Sequence, residues 1–433
     1  VGKDALGANT TGTSNSALGY NSLLLNTTGN QNTAIGMVAL DANTTGSDNV
    51  ALGYAALTAN TTASNNTAIG RGALQLNTTG TANVAVGALA GDALTVGSSN
   101  VAIGYNSLST EDGHGANVAV GTNSLAVQNA GANGYNTAVG HNAGLSVTTA
   151  VETTLVGALA GDAITTGGYN TGFGSAALGA TTTATFNTAV GRNALGANTT
   201  GASNVAVGGQ ALDANTTADN NTAVGTSSLG ANTTGASNTA VGQASLGSNT
   251  TASNNTAVGK GALTANTTGT ANTAVGTSAL IANTTANSNT AIGKDALLAN
   301  TTGTRNVGVG ASALKTITTA SFNTGVGNDV LGANTSGASN TGIGDQALGA
   351  NTTGADNTAI GSGALDANTT ADGNTAVGSS CLGANTTGAD NVAMGEAALL
   401  SNTTAANNTG IGTSALRANT TGTNNASLGF SSL

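Results

Sequence analysis

The chain has 433 residues and a formal net charge of −10 at pH 7, from 18 acidic and 8 basic side chains. Aromatic residues make up 2% of it and charged residues 6%, and Pro and Trp are absent. This composition excludes a conventional core of large side chains, and scattered Lys and Arg argue against nucleic-acid binding. No run of 18 apolar residues occurs, so no membrane insertion is expected. The single cysteine, Cys381, excludes an intrachain disulfide, and we interpret it as a small packed residue.

One glycine recurs from Gly2 to Gly429 at 25 intervals, of which 24 are 17 residues long and one, between Gly121 and Gly140, is 19. A helical repeat needs roughly 33 to 47 residues for two helices and a turn. Seventeen residues instead fit one coil of a β-solenoid. The sequence therefore predicts an all-β fold, a parallel β-roll of about 25 coils that runs as one continuous array over residues 1–433.

Each coil is numbered here from the Asn that opens it, so that residues 221–237 (NTAVGTSSLGANTTGAS) hold positions 1 to 17. Positions 2 and 4 are mostly β-branched, and position 3 is Ala or Gly in nearly every copy, with Leu155 the clear exception, which predicts a strand. We expect the Val face to line the interior, and the Ala or Gly face to admit another backbone. Ala-Leu at positions 8 and 9 predicts a second short strand whose Leu points inward.

Asn occupies position 1 in 24 of 25 repeats, and the repeat glycine follows at position 5. Coils that stack about 4.8 Å apart place such Asn side chains over one another, which predicts a structural ladder. The predicted ladder includes Asn204, Asn221, Asn238, Asn255, Asn272 and Asn289. The repeat glycines, interpreted as structural, include Gly208, Gly225, Gly242, Gly259, Gly276 and Gly293.

Asn-Thr-Thr follows at positions 12 to 14 in 18 of the 25 repeats, if Asn-Thr-Ser at 334–336 is included. Asn with the Gly or Ala that follows predicts a turn, and a ladder of Thr and Asn side chains in this turn is the preferred interpretation. The motif is also an N-glycosylation acceptor. Candidate acceptors are Asn198, Asn232, Asn266 and Asn300. From Gly201 to Gly337, position 15 alternates between Gly and Ala, which gives a superperiod of 34 residues.

Residues 88–170 lack Asn-Thr-Thr and contain the 19-residue interval, so we predict irregular coils with remodelled turns inside the same array. Glu111, Asp112 and His114 lie within four residues and could ligate a metal or act as acid and base. No second cluster completes a ligand set, so a solvated turn is the preferred interpretation. His141 is interpreted as an edge residue. We expect no catalytic residues, no metal site, no cofactor and no enzymatic activity.

The motifs N-T-A-V-G, N-V-A-V-G and N-T-A-I-G resemble the head repeats of trimeric autotransporter adhesins. In that family such strands build a left-handed parallel β-roll that trimerises. The 17-residue form with Ala-Leu and Asn-Thr-Thr is similar to repeats of bacterial and phage tail-fibre-like proteins. The resemblance covers essentially all 433 residues. It implies a left-handed, homotrimeric, extracellular fibre at the cell surface: a self-assembling filament, or the shaft of an adhesin or tail fibre.

The expected partner is another copy of the chain, in a lateral trimer or an end-to-end polymer, with a cell-surface or matrix receptor as a further possibility. Neither end has a polar capping segment, which predicts a segment of a longer chain or a subunit that stacks end to end. The alternative function is ice binding, because tandem Thr recurs on every regular coil. These Thr residues lie in a turn and not in a flat strand, which argues against it.

Overall fold

The structure, a computed structural model, describes residues 2–433. Over these residues the chain is all-β and forms a parallel β-solenoid of about 24 turns, with about 17 residues per turn and no helix. The chain divides into two compact units, residues 1–219 and 220–433. Each unit repeats the same coil, and the continuous array over residues 1–433 stays a prediction.

Each described coil contributes one strand of three residues. In the first unit the strands are β1 (Ser16–Leu18), β2 (Thr33–Ile35), β3 (Val50–Leu52), β4 (Thr67–Ile69), β5 (Val84–Val86), β6 (Val101–Ile103), β7 (Val118–Val120), β8 (Thr137–Val139), β9 (Thr154–Val156), β10 (Thr171–Phe173), β11 (Thr188–Val190) and β12 (Val205–Val207). In the second unit they are β13 (Thr222–Val224), β14 (Thr239–Val241), β15 (Thr256–Val258), β16 (Thr273–Val275), β17 (Thr290–Ile292), β18 (Val307–Val309), β19 (Thr324–Val326), β20 (Thr341–Ile343), β21 (Thr358–Ile360), β22 (Thr375–Val377), β23 (Val392–Met394), β24 (Thr409–Ile411) and β25 (Ala426–Leu428).

Within each unit the strands pair in parallel, and each residue lies beside its equivalent in the next coil. Ala240 of β14 pairs with Ala257 of β15, a shift of one repeat. At the 19-residue interval Ala119 of β7 pairs with Ala138 of β8, so equivalent positions still meet. The turn therefore absorbs the two extra residues, because a slip of one residue would turn every side chain to the opposite face.

The interior is narrow and is filled by position 3 of the strand together with positions 8 and 9. Ala257 and Leu263 are both fully buried. The Leu points inward as predicted, but the predicted second strand at positions 8 and 9 is wrong. Leu263 has φ +53°, a left-handed backbone conformation that a strand cannot contain, and it lies in a turn.

Three residues other than glycine take left-handed conformations in a typical coil. In residues 221–237 they are Ser227, Leu229 and Ser237, with φ between +50° and +58°. A residue other than glycine in a left-handed conformation costs roughly 1–2 kcal/mol, and an isolated coil would have no contacts with neighbouring coils to offset this cost. Stacking offsets this cost, because backbone groups in the turns form hydrogen bonds between coils. One example is the 3.0 Å bond from Leu229 N–H to the Ser245 carbonyl.

The coils with Gly and with Ala at position 15 differ in the hydrogen bonds of the turn. In the coil with Gly235, the N–H groups of Thr233 and Thr234 both donate to the Thr250 carbonyl, at 2.8 and 3.3 Å. In the coil with Ala252, the Thr250 N–H makes one longer bond of 3.2 Å. A Cβ added to Gly235 would overlap the carbonyl oxygen of Ala252. A Cβ added to Gly337 would overlap the Gly354 carbonyl oxygen in the same way, so a coil with this tighter turn accepts no Cβ whichever residue follows it.

Candidate functional site

The two faces of each strand are the reverse of the prediction. Ala257, at position 3, is fully buried, whereas Val258 and Ile292, at position 4, are 36% and 41% exposed. The prediction that the Val face lines the interior is therefore wrong. The physical reason is space: a Cβ added to Gly325, at position 3, would lie only 3.1 Å from Leu314 Cγ. A 17-residue coil leaves room for little more than a methyl group between the strand and its Leu.

We call the residues at positions 2 and 4 of the strands the outward face. Position 2 is mostly Thr or Val and is half-buried in most coils, and position 4 is a larger aliphatic side chain in nearly every coil. Because successive strands are in register, both positions form rows along each unit. The most exposed position-4 side chains are Leu18, Ile35, Leu52, Ile103, Phe173, Val258, Ile292, Val326, Ile343, Ile360, Met394, Ile411 and Leu428.

The Asn residues at position 1 form a buried ladder in each unit. Asn238 N–H donates to Asn221 Oδ1 at 2.9 Å, and Asn238 Nδ2 donates to the Ala252 carbonyl at 2.8 Å. Each side chain therefore satisfies a main-chain donor of one coil and a main-chain acceptor in the turn. In the second unit this pattern continues through Asn255, Asn272 and Asn289, and in the first unit Asn204 bonds in the same way to Asn187 and Ala218.

A second Asn ladder lies at position 12, in the turn where a ladder of Thr and Asn was predicted. Asn249 Nδ2 donates to Asn232 Oδ1 at 2.9 Å, and Asn232 Nδ2 donates to the Gly235 carbonyl, also at 2.9 Å. Side chains bond amide to amide here. The candidate glycan acceptors Asn198, Asn232, Asn266 and Asn300 belong to this ladder and are all fully buried. Nδ2 of each is already hydrogen-bonded, so the folded chain does not favour modification there, and glycosylation of these residues stays a prediction.

The Thr residues that follow this Asn are partly used by the fold itself. Thr233 Oγ1 donates to the Thr250 carbonyl at 3.0 Å, and Thr267 Oγ1 donates to the Thr284 carbonyl at 3.1 Å. The second Thr of each motif is exposed in the turn, as at Thr234. Half of the tandem hydroxyls thus bond to the next coil, and this arrangement does not favour the ice-binding alternative, which stays a prediction.

The repeat glycines are required by backbone conformation and by contact. Gly208, Gly225, Gly242, Gly259, Gly276 and Gly293 have φ between +130° and +137°, a region that side-chain residues rarely adopt. A Cβ added to Gly242 would lie 2.6 Å from the carbonyl carbon and oxygen of Gly259. Position 5 is therefore a point where successive backbones approach too closely for a side chain.

The cluster at residues 111–114 is more deeply set than a solvated turn. Glu111 stands at position 12 and is fully buried, His114 is half-buried and Asp112 is exposed. Glu111 Oε1 accepts the His114 N–H at 3.1 Å and lies 3.2 Å from His114 Nδ1. The solvated-turn interpretation is wrong for Glu111. His141 is exposed, beside the repeat glycine at position 5.

The other reactive or ionisable side chains discussed here do not lie together in one site. Burial raises the pKa of the Cys381 thiol to about 12, so it carries no thiolate at neutral pH. A surface cleft of about 320 Å³ between residues 176 and 213 has Asp213 as its one ionisable side chain. That cleft contains no acid and base pair for catalysis.

No protein-family model matches the chain, and a comparison with curated proteins finds no match. Among residues 2–433, no helix has the length and hydrophobicity to cross a membrane. The function therefore has to be inferred from the coil itself.

Sequence reasoning missed the outward face because an alternation of period two does not say which side is inside. A usable signal was present in residue size. Position 3 is almost restricted to Ala and Gly, whereas position 4 accepts Val, Ile, Leu, Met and Phe. A position that tolerates only the smallest side chains is limited in volume, and in a narrow coil that position is the interior.

Proposed function

We propose that this chain is a non-enzymatic structural segment of an extracellular fibre, and that it associates laterally with two further copies through the outward face. The observation that carries the proposal is the row of apolar position-4 side chains in each unit, all of them at least partly exposed. Soluble monomers rarely expose contiguous apolar areas larger than a few hundred Å².

Covering this face would stabilise an assembly by many small contributions. Each position-4 side chain is already partly buried by its own coil, so covering the rest contributes on the order of 1 kcal/mol or less. A row of a dozen such side chains offers several kcal/mol, which is the scale that a stable protein association needs. The free energy of association depends on burial of the whole row, because no single position dominates it.

A second copy of the chain is the partner that fits this face best. It presents rows at the same spacing, so that aliphatic side chains meet coil for coil. Three copies around an axis can each turn one narrow strand face inward, which closes the assembly and leaves no apolar row in water. This arrangement agrees with the homotrimer that the sequence resemblance implies.

The remaining features suit a mechanical role outside the cell. The interior is made of Ala, Leu and Asn and recurs without specialisation over most of both units. Such a segment spaces or holds together other parts, as the shaft of an adhesin or tail fibre or as a self-assembling surface filament. Binding to a cell-surface or matrix receptor would be an additional property.

The oligomeric state tests this proposal. Light scattering on the purified chain should give about 122 kDa, three times the monomer mass of 40.6 kDa. Val258→Lys combined with Ile292→Lys places two charges in the outward face and should shift the species toward 40.6 kDa. Thr277→Lys is the matched control, because it adds a lysine at position 6, where Lys260 and Lys294 already stand.

Circular dichroism should show that the variants keep their β-structure. A wild-type chain that stays at 40.6 kDa at high micromolar concentration would contradict the trimer. A trimer that tolerates both lysines would show that another face forms the interface.

A further inference from the structure

Three side chains of the irregular coils bring potential metal ligands together. One ligand atom each from Glu111, Asp112 and His114 lie within 4.8 Å of one another. His114 Nδ1 and Glu111 Oε1 are 3.2 Å apart. Two ligands of a tetrahedral Zn²⁺, each at about 2.0–2.1 Å from the metal, are separated by about 3.3 Å. This pair already has the spacing of two zinc ligands.

The buried part of the cluster contains acceptors without a donor. Glu111 is fully buried, and its Oε2 has no hydrogen-bond partner. Gln128 holds position 12 of the next coil, is also fully buried, and has an unpartnered Oε1. In regular coils the side chains at this position bond directly, as in the 2.8 Å bond from Asn43 Nδ2 to Asn26 Oδ1. Gln128 is the equivalent of Glu111 in the next coil, and its Nε2 donates to Asn117 Oδ1 at 2.9 Å, so each of the two side chains keeps one buried oxygen without a partner.

The backbone around the cluster is held in place before any ligand binds. The Asp112 carbonyl accepts the N–H and the hydroxyl of Thr95, both at 2.6 Å. The His114 carbonyl accepts Asn100 Nδ2 at 3.1 Å. Both ends of the turn are therefore bonded to other parts of the coils, and the side chains between them start from a preorganised geometry.

We propose that Glu111, Asp112 and His114 bind one divalent transition-metal ion of the Zn²⁺ class, with Gln128 Oε1 as the candidate fourth ligand. An imidazole with two carboxylates suits Zn²⁺ better than Ca²⁺ or Mg²⁺, which prefer oxygen ligands alone. Two carboxylates and a neutral imidazole balance the charge of the ion, and this removes the cost of an uncompensated buried carboxylate. The exposed Asp112 and the His114 side chain, which is 28% exposed, give the ion a path from solvent.

The bound ion would stabilise the turn where the position-12 Asn ladder is interrupted. It would join residues 111, 112 and 114 to the following coil at Gln128, in place of the amide bonds that join regular coils. This role is independent of the trimer, since the cluster uses the turn and not the strand face.

Titration of the metal-free full chain with ZnCl₂, followed by calorimetry, tests the site. We expect one Zn²⁺ per chain and a rise in melting temperature with added Zn²⁺. Glu111→Asn should abolish binding without unfolding the chain, because Asn occupies position 12 in the regular coils. His114→Ala should also abolish it.

His141→Ala is the matched control, since the chain has two histidines and His141 lies outside the cluster. It should leave the stoichiometry at one. Absence of stoichiometric binding in the wild type, or equal binding by Glu111→Asn, would overturn the site. Loss of binding in His141→Ala would assign the ion to surface histidine instead.

Discussion

The regular coils of residues 198–303 and the irregular coils of residues 88–170 share one backbone plan and differ at one buried position. In the regular coils position 12 is Asn, and within each unit the amide of one coil bonds to the amide of the neighbouring coil. In the irregular coils the same position holds Leu94, Glu111, Gln128, Val147 and Ile164. Strands β6 to β9 nevertheless keep the same register. The coil therefore tolerates different chemistry at position 12, provided that the strand and the repeat glycine are kept.

The two regions satisfy this position in physically different ways. An Asn ladder pairs every buried amide along the stack, which avoids the cost of unsatisfied polar groups. Leu94, Val147 and Ile164 are fully buried and contribute apolar burial instead. Glu111 does neither by itself, because one of its oxygens is left without a partner. The backbone therefore requires the strand and the repeat glycine, whereas the residue type at position 12 can vary.

The repeat glycine should be equally essential in both regions. Gly242→Ala and Gly140→Ala would each place a Cβ 2.6 Å from the carbonyl carbon of the next repeat glycine, at a strongly positive φ. We expect each to lower the free energy of unfolding by about 4 kcal/mol or more, as backbone clashes of this kind do. Gly209→Ala is the control, because a Cβ there would meet no atom within 4 Å. Chemical denaturation measures all three, and a tolerant Gly140 would mean that the irregular coils pack more loosely.

The Asn ladder should matter only where it is continuous. Asn266 Nδ2 donates to Asn249 Oδ1 at 3.0 Å and to the Gly269 carbonyl at 2.9 Å, and its Oδ1 accepts Asn283 Nδ2 at 2.9 Å. Asn266→Ala would leave these partners buried and unpaired, so we expect a loss of about 2–4 kcal/mol. In the metal-free chain, Glu111→Asn should instead raise the melting temperature, because it replaces a buried carboxylate whose Oε2 has no hydrogen-bond partner. If Asn266→Ala and Glu111→Asn changed the stability in the same direction, the proposed distinction between the two regions would be contradicted.

A fall in pH should change the stability of both regions in the same direction, and this is the smallest of the expected effects. Burial raises the pKa of Asp92, Asp162, Asp213 and Asp366 above 3.8, against hydrogen bonds from nearby backbone N–H groups that lower it. The folded chain thus holds these protons more tightly than the unfolded chain does. Stability should rise as the pH falls from 7 through the raised pKa values, and the gain should end below about 3.8.

Melting temperature measured against pH tests this expectation. The double variant Asp92→Asn and Asp213→Asn, with one change in the irregular and one in a regular coil, should show a weaker rise between pH 7 and pH 4. Each single variant should account for part of the difference. A wild-type chain that loses stability steadily over this interval would show that other carboxylates dominate.

Much of the fold could be predicted because a periodic sequence fixes a periodic backbone. The recurrence of glycine gave the coil length, and the β-branched residues before it located the strand. The Leu at position 9 was correctly expected inside, although its left-handed backbone was not, since Leu seldom adopts that conformation. A ladder of Thr and Asn in the turn was expected, but the full burial of the position-12 Asn residues and of Glu111 was missed, because burial depends on what lies in the neighbouring coil at the same register.

The sequence by itself determined the 17-residue coil, the parallel stacking of equivalent positions and the need for glycine at position 5. Only the tertiary structure decided which side of the strand faces inward and where the Asn-Thr-Thr amides lie. An alternating pattern is symmetric, and its two faces become different only when the coil closes around a space of definite width. In this chain that space accommodates Ala257 and excludes Val258, and the excluded row becomes the surface available to a partner.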